Sequence, residues 1–341
     1  MNPETEPVPD AAPPPADRGT PFQRLRAGLL ALIARALIAI PEGPVNAIGE
    51  AAGELWYRMA PARAARARRN LQRVSSHLVT RGLANDATRA AAEDPAALER
   101  LVRRAFRQAA RYYLDMVRLP GHSAEELESR LIVETPDTVA DAFGEPGPMV
   151  FVSMHFGAVE YPALFAVART GRHVVAPMET LADPALQSWI ERTRGSVGVD
   201  IVSLRDARRA LTQALTEGRV VGMVADRNVA GGAIEVPFFG APAPLPMGPG
   251  LFAMEAGLPI WVAAVRRAGG GRYRGQLRRV DIPTEGLRRA RLAAAMAGVA
   301  RAMEESIAAA PEQWWSALAP VWPDLDPEAA TGTGRLEGAG R

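Results

Sequence analysis

Met149-Val150-Phe151-Val152-Ser153-Met154-His155-Phe156-Gly157-Ala158-Val159-Glu160 is the stretch that decides how this chain folds. Its first four residues form a short apolar run, as in a strand buried on both faces, and from Ala158 onward the spacing turns helical. The pattern predicts a strand at 149–152 and a helix over 158–169. Gly157 supplies the backbone freedom that the tight passage between them needs. An imidazole therefore stands at the C-terminal end of a buried strand, the edge of an open α/β sheet where ligands collect. A carboxylate, Glu160, follows it after four intervening residues.

Outward from this stretch the alternation continues. His173-Val174-Val175-Ala176, residues 199–203 and Val220 to Val224 predict strands, with helices over 183–195 and 206–217 between them. Ile260 to Val265 and an Arg-rich strand over 273–281, joined across Gly269-Gly270-Gly271, precede a last helix over 286–309. The fold class is α/β, with a mainly parallel central sheet flanked by helices. A basic helical region comes first. Its apolar segment Leu29 to Ile40 is closed by Pro41, and a helix over 45–59, a very basic helix Ala62 to Leu78 and a long helix over 96–118 follow. The organisation reads as a disordered tail over 1–20, a helical, membrane-docking region over 21–130, an α/β core over 131–323 and a flexible tail over 324–341.

Composition narrows the function. The chain has 341 residues, 48% of them hydrophobic, enough for a substantial core. Cysteine is absent, which excludes disulfides and thiolate chemistry, and His77, His122, His155 and His173 are too scattered for a metal cluster. No metal site and no resident cofactor are expected. Every basic residue is Arg, which fits either codon bias or a surface that forks onto phosphates. Residues 21–120 hold 17 Arg against 8 acids, a local excess of +9 within a net charge of +2. No nucleic-acid reading motif or aromatic platform accompanies that charge, so nucleic acid is not an expected partner. The first 20 residues lack the basic and apolar regions of a secretory signal. Leu29 to Ile40 falls short of the roughly 20 apolar residues of a spanning helix, and Arg35 interrupts it. It is either a buried core helix or an interfacial one whose arginines snorkel.

The residues themselves suggest acyl transfer. Attack of an alcohol on a thioester needs no covalent enzyme nucleophile; it needs a base for the hydroxyl and stabilisation of the oxyanion. His155 suits the first task, Glu160 is expected to fix its tautomer, and N–H groups at the helix start are expected to hold the oxyanion. The same six residues also fit a core histidine beside a surface glutamate. Further on, Asp226-Arg227 ends a buried strand, as a structural ion pair or as substrate contacts. Ala233-Ile234-Glu235-Val236-Pro237-Phe238-Phe239-Gly240 then sets one carboxylate in an apolar segment. Phe238 and Phe239 line an acyl slot or pack the core. No Gly-x-Ser-x-Gly elbow is present, which counts against a serine esterase.

Taken together, the His155-to-Glu160 box, Asp226-Arg227, the Glu235-to-Gly240 segment with its Pro/Gly-rich sequel, Ala110-Arg111-Tyr112-Tyr113 and Pro311-Glu312-Gln313-Trp314-Trp315 resemble the bacterial lipid A biosynthesis acyltransferase family. This is the group with the late lauroyl and myristoyl transferases. The chain is most similar to its phosphatidylinositol mannoside acyltransferase branch, over about residues 22–324. The resemblance implies a fatty acyl group passing from acyl-CoA or acyl carrier protein, as co-substrate, to a sugar hydroxyl of a glycolipid. It also implies a peripheral enzyme on the cytoplasmic face of the inner (plasma) membrane, held by anionic lipids. By motif position His155 is the base, Glu160 its acidic partner, and Glu235 a second carboxylate acting on the His or the acceptor. Glu179 and Arg194 fall at substrate-facing positions, with Asp226, Arg227, Phe238 and Phe239. Ala158-Val159 replaces the Asn-Trp usual in the box, and Asn228 replaces a second acid after Asp-Arg. Glu160 itself agrees better with the lipid A branch, so a lipid A-type acceptor and a non-catalytic lipid-binding homologue stay open as alternatives.

Overall fold

The computed structural model describes residues 19–121, 124–229 and 231–326. The two tail readings lie outside the described residues, except for Gly19, Thr20 and residues 324–326. Those last residues are pinned: Arg66 and Arg69 reach the buried Asp326, and Arg73 pairs with Asp324. The first residues assigned to the expected tail, 324–326, are thus tied down by basic side chains.

The helical region holds α1 (Pro21–Ala39), α2 (Glu42–Met59), α3 (Pro61–Thr80), α4 (Asp86–Glu93), α5 (Pro95–Arg118) and α6 (Ala124–Arg130). Then follow β1 (Leu131–Val133), α7 (Pro136–Phe143), β2 (Met149–Ser153), α8 (Tyr161–Thr170), β3 (Val174–Met178), α9 (Pro184–Gly195), β4 (Val199–Ser203), α10 (Ala207–Thr216) and β5 (Val220–Val224). The chain continues through β6 (Ala233–Phe238), β7 (Ala241–Pro246), α11 (Gly248–Ala256), β8 (Ile260–Gly269), β9 (Arg272–Val280) and α12 (Arg288–Ala308). Two 3-10 turns, Pro311–Gln313 and Trp315–Leu318, close it.

Seven strands form one sheet in the order β1-β9-β8-β2-β5-β3-β4, parallel throughout except for the β8–β9 hairpin. The α/β class and mainly parallel sheet read from the sequence are what the chain adopts. β2 is central, and its alternate residues feed opposite layers. Val150 and Val152 join the large core with Leu71, Leu101 and Phe106 of the helical region and with α12. Met149 and Phe151 join the other face with Ala166, Val174 and Val220. One core therefore runs across residue 130, and α3 and α5 help to cover the sheet.

Two local readings differ from the outcome. The Pro-rich run after Phe239 forms an antiparallel two-stranded ribbon, β6–β7, with Pro237 opposite Pro242. A two-stranded ribbon leaves one edge of each strand unpaired, where a missing N–H costs no ladder bond. The helix expected from Ala158 begins at Tyr161. Pro162 suits the first helical turn, where its absent N–H has no partner to lose.

A shared core predicts cooperative unfolding. Leu101→Ala, at a position with no solvent exposure, should cost about 2–5 kcal/mol. Urea titration followed by far-UV circular dichroism and tryptophan fluorescence should give one coincident transition; two separated transitions would mean that the helical region unfolds alone.

Candidate active site

His155 leaves the end of β2 in a turn that the backbone forces. Gly157 has φ +53°, and a Cβ there would come within 2.2 Å of the Val265 carbonyl oxygen, so no side chain fits. The turn is tied to β8 and to the C-terminal segment. The Ala158 N–H donates to Val265 (2.9 Å), the Gly157 N–H to the Gln313 carbonyl (3.0 Å), and the Trp315 N–H to the His155 carbonyl (3.0 Å). The Phe156 N–H turns back to Met154 (2.7 Å). These donors are spent on the fold, whereas the Val159 and Glu160 N–H groups, just before the helix starts at Tyr161, bond no carbonyl among the described residues.

The partner of His155 is Asp226. Its Oδ1 lies 2.7 Å from His155 Nδ1, and its Oδ2 accepts from the His155 backbone N–H (3.1 Å) and from the Trp314 indole (2.8 Å). The carboxylate is fully buried. Burial alone would raise its pKa, but the His155 charge and hydrogen bond, with the Trp314 indole, outweigh burial and hold it at about 2. A carboxylate that stays ionised accepts a hydrogen bond from Nδ1–H, which leaves Nε2 with its lone pair. No group among the described residues hydrogen-bonds Nε2. The ring meets the Trp315 indole edge-on, with centroids 4.4 Å apart, and Trp315 stacks on Tyr112 at 4.6 Å.

Glu160 does not orient the imidazole. Its carboxylate pairs with Arg194 Nη2 (2.7 Å) and accepts from the Tyr112 hydroxyl (3.4 Å). Arg194 also points Nη1 at Met178 Sδ (3.0 Å). Burial opposes its charge, but Glu160 more than compensates and raises its pKa. Glu160 borders two cavities. One is an open groove along the sheet face under α8, walled by residues of β2, β3, β4 and β5 and, save for Ser153, Glu160 and Arg194, without polar side chains. The other is an open cleft lined by Tyr112, Tyr161 and Tyr273 and by charged side chains.

The remaining candidates are placed as follows. Arg227 is half-buried, and it is His155, not Arg227, that takes the Asp226 carboxylate. Glu179 follows β3, half-buried and unpaired among the described residues. Glu235 is exposed on β6 and makes no contact with His155, the position it was expected to serve being held by Asp226. Phe238 and Phe239 are core residues. Both are buried, with rings 4.7 Å apart, packed on Trp314 and Trp322, and neither lines the groove or the cleft. Sequence reasoning passed over three residues as site groups: Tyr112, Trp314 and Trp315. Their signal was the paired aromatics Tyr112-Tyr113 and Trp314-Trp315, each doublet unusual in a chain only 6% aromatic.

Residues 88–319 match the family described as bacterial lipid A biosynthesis acyltransferase. A phosphatidylinositol mannoside acyltransferase of Mycobacterium tuberculosis is 26% identical over 156 residues, 44% of this chain and 49% of that protein. The protein of the same name from Mycolicibacterium smegmatis is 26% identical over 165 residues, 47% of this chain and 54% of that protein. The chain spans about half the length of these curated relatives.

The buried carboxylate predicts a pH dependence. Its folded pKa, about 2, lies below the ordinary 3.8, so the unfolded chain binds more protons at Asp226 between those values and stability rises with pH there. The stability of the wild type relative to Asp226→Asn should grow from pH 2 to about 4. Urea midpoints across that range measure it, and a difference flat from pH 2 upward would contradict the assignment.

Proposed function

The chain belongs to the bacterial lipid A biosynthesis acyltransferase family, and from that premise we propose that it moves a fatty acyl group from a thioester to a sugar hydroxyl of a glycolipid. The donor is acyl-CoA or acyl carrier protein, and the acceptor is phosphatidylinositol mannoside-like, as the names of the matched relatives suggest. The reading rests above all on the buried Asp226–His155 pair beside an apolar groove. His155 Nε2 takes the proton of the acceptor hydroxyl as its oxygen attacks the thioester carbon. Asp226 fixes the tautomer and steadies the imidazolium. The tetrahedral intermediate then expels the thiolate, which recovers the proton from His155, and the ester remains.

The acyl chain lies in the groove, whose strand-borne walls suit a hydrocarbon and whose mouth carries the Glu160–Arg194 pair. Arg194, at the groove's mouth, is the cation we assign to the developing oxyanion. Glu235, exposed and unpaired, we assign to contact with the acceptor.

Docking on an anionic membrane completes the reading. Among the described residues no helix is long and apolar enough to cross a membrane. On α1, Phe22, Leu25, Leu29, Leu32 and Ile33 recur at three- and four-residue intervals as one exposed stripe, while Ala27 and Ala34 face the protein. Arg24 and Arg35 are exposed and pair with no acid among the described residues. An apolar stripe left open with free arginines suits an interfacial helix on anionic lipid at the cytoplasmic face of the inner membrane.

His155→Ala should lower transfer from acyl-CoA to a phosphatidylinositol mannoside by about 10²–10⁴-fold; because it also takes a partner from the buried Asp226 carboxylate it should lower the melting temperature, and far-UV circular dichroism checks that the variant is folded at the assay temperature. Arg194→Lys should lower kcat by roughly 10²-fold. Transfer that survives His155→Ala would rule out the mechanism. Sedimentation with phosphatidylglycerol-containing vesicles should weaken as salt rises, because screening acts on the arginine–headgroup attraction. Leu25→Glu with Leu29→Glu should remove the remaining binding; binding indifferent to both changes would place docking elsewhere.

A further inference from the structure

Arg63 and Arg227 are half-buried cations that reach no carboxylate or carbonyl among the described residues. Arg227 keeps a buried Nε–H without an acceptor. Arg107, Arg111, Arg118, Arg194 and Arg278 do so too, yet each meets an acid or a carbonyl through its Nη groups. Arg227 has no such contact. The Trp315 indole N–H is likewise buried without an acceptor. Buried donors are nearly always satisfied, so a pair left open beside His155 calls for an acceptor from outside the chain.

Arg63 is placed against its own helix. It stands in the first turn of α3, whose N-terminus has neither a side-chain cap nor an acid. The helix dipole disfavours a cation at that end. Its guanidinium lies 5.3 Å from the centroid of the Trp56 ring, which offsets part of the cost. An anion would offset the rest.

Both arginines serve one aromatic wall. Trp56 lies 6.4 Å from Tyr113, and Tyr113 lies 6.3 Å from Trp315, between ring centroids. Trp315 then meets the imidazole of His155 at 4.4 Å. Desolvation raises the pKa of the Tyr113 phenol, while Arg63 and Arg227 both pull it down, so the two charges act on the same hydroxyl. A neutral ligand would leave both charges unanswered, and a single carboxylate suits one guanidinium fork. Two forks arriving from different elements suit the tetrahedral oxygens of a phosphate.

We infer that Arg63 and Arg227 form a seat for a phosphate group, with Tyr113 and Trp315 as its wall. The acyl-transfer reading is needed only to say that this phosphate belongs to a substrate. Two sources carry one: an acyl-CoA or carrier-linked donor, and the phosphodiester of a lipid headgroup. Either would be anchored on the rings that lead to the imidazole.

Calorimetric titration of the full-length protein tests the seat without turnover. Two ligand pairs differ in phosphate: CoA against pantetheine, and glycerophosphoinositol against myo-inositol. In at least one pair the phosphate-bearing member should bind the wild type roughly tenfold tighter, and the gain should shrink as salt rises. Arg63→Gln and Arg227→Gln should each remove most of that gain, raising the Kd by about tenfold. Arg289→Gln, at an exposed position of α12, should keep it and controls for net charge. Neither seat variant breaks an ion pair, and far-UV circular dichroism checks that both are folded. A gain confined to the CoA pair assigns the seat to the donor, and one confined to the inositol pair assigns it to a headgroup. No gain in either pair, a gain kept in both seat variants, or an equal loss in Arg289→Gln would overturn the seat. Acyl-transfer assays separate the two readings. Transfer intact in both seat variants, with donor and acceptor KM unchanged, removes the seat alone. A phosphate gain that depends on both arginines, in a wild type without acyl transfer, removes the acyltransferase reading and keeps the seat.

Discussion

A carboxylate with no solvent exposure has to be paired, and the pairing of Asp226 organises this protein. Its two oxygens take the imidazole and backbone N–H of His155 and the indole of Trp314. Those three bonds join the end of β5, the end of β2 and the C-terminal 3-10 turns. Trp314 in turn packs on Phe238, Phe239 and Trp322, so the same residue that satisfies Asp226 also fills the core beneath the β6–β7 ribbon. Any change that left this carboxylate unpaired would act on the fold and on the imidazole together. The position of the imidazole is thus a property of the core and not of a surface loop.

Much of the architecture was legible in the sequence. Short apolar runs such as Met149 to Val152, buried on both sides, and Val220 to Val224, buried except toward its end, read as strands because no polar residue interrupts them. The ribbon was not legible, since Pro237, Pro242, Pro244 and Pro246 mark a loop wherever a sheet has more than two strands. Nor was the late start of α8. Ala158 and Val159 carry helical spacing, yet the positive φ of Gly157 and the bond from Ala158 to Val265 hold the backbone out of the helix until Tyr161. Periodicity reports which side chains are apolar; it does not report where a neighbouring strand captures an N–H.

The site shows the same limit more sharply. His155 and Glu160 are close in sequence, and closeness suggested a pair. Asp226 lies 71 positions away and takes the imidazole instead. Parallel β2 and β5 are hydrogen-bonded neighbours in register, with Ser153 opposite Val224. The residues two beyond each strand end, His155 and Asp226, are therefore brought side by side by the sheet itself. The parallel register was the missing piece of information, and a single sequence without strand pairing does not contain it. Tyr112 and Trp315 escaped for a related reason: they come from α5 and the C-terminal turn and meet only when both have packed over the sheet edge.

Releasing Glu160 from the imidazole has a consequence for the electrostatics of the site. Two carboxylates in one small volume repel unless each has its own cation. Here each has one: Asp226 faces an imidazole that can be protonated, and Glu160 faces a guanidinium that stays charged. The first pair can change charge as a proton arrives and leaves, whereas the second cannot. The mobile charge is thereby confined to the deep end of the strands, and a fixed ion pair stands at the mouth of an otherwise apolar groove. That pair is largely buried, and the Tyr112 hydroxyl adds a further hydrogen bond to its carboxylate. The same pair would be expensive inside the groove, where nothing polar is left to answer it. The division between a switching pair and a fixed pair follows from where each acid sits on the sheet, and the apolar groove is what makes that division necessary.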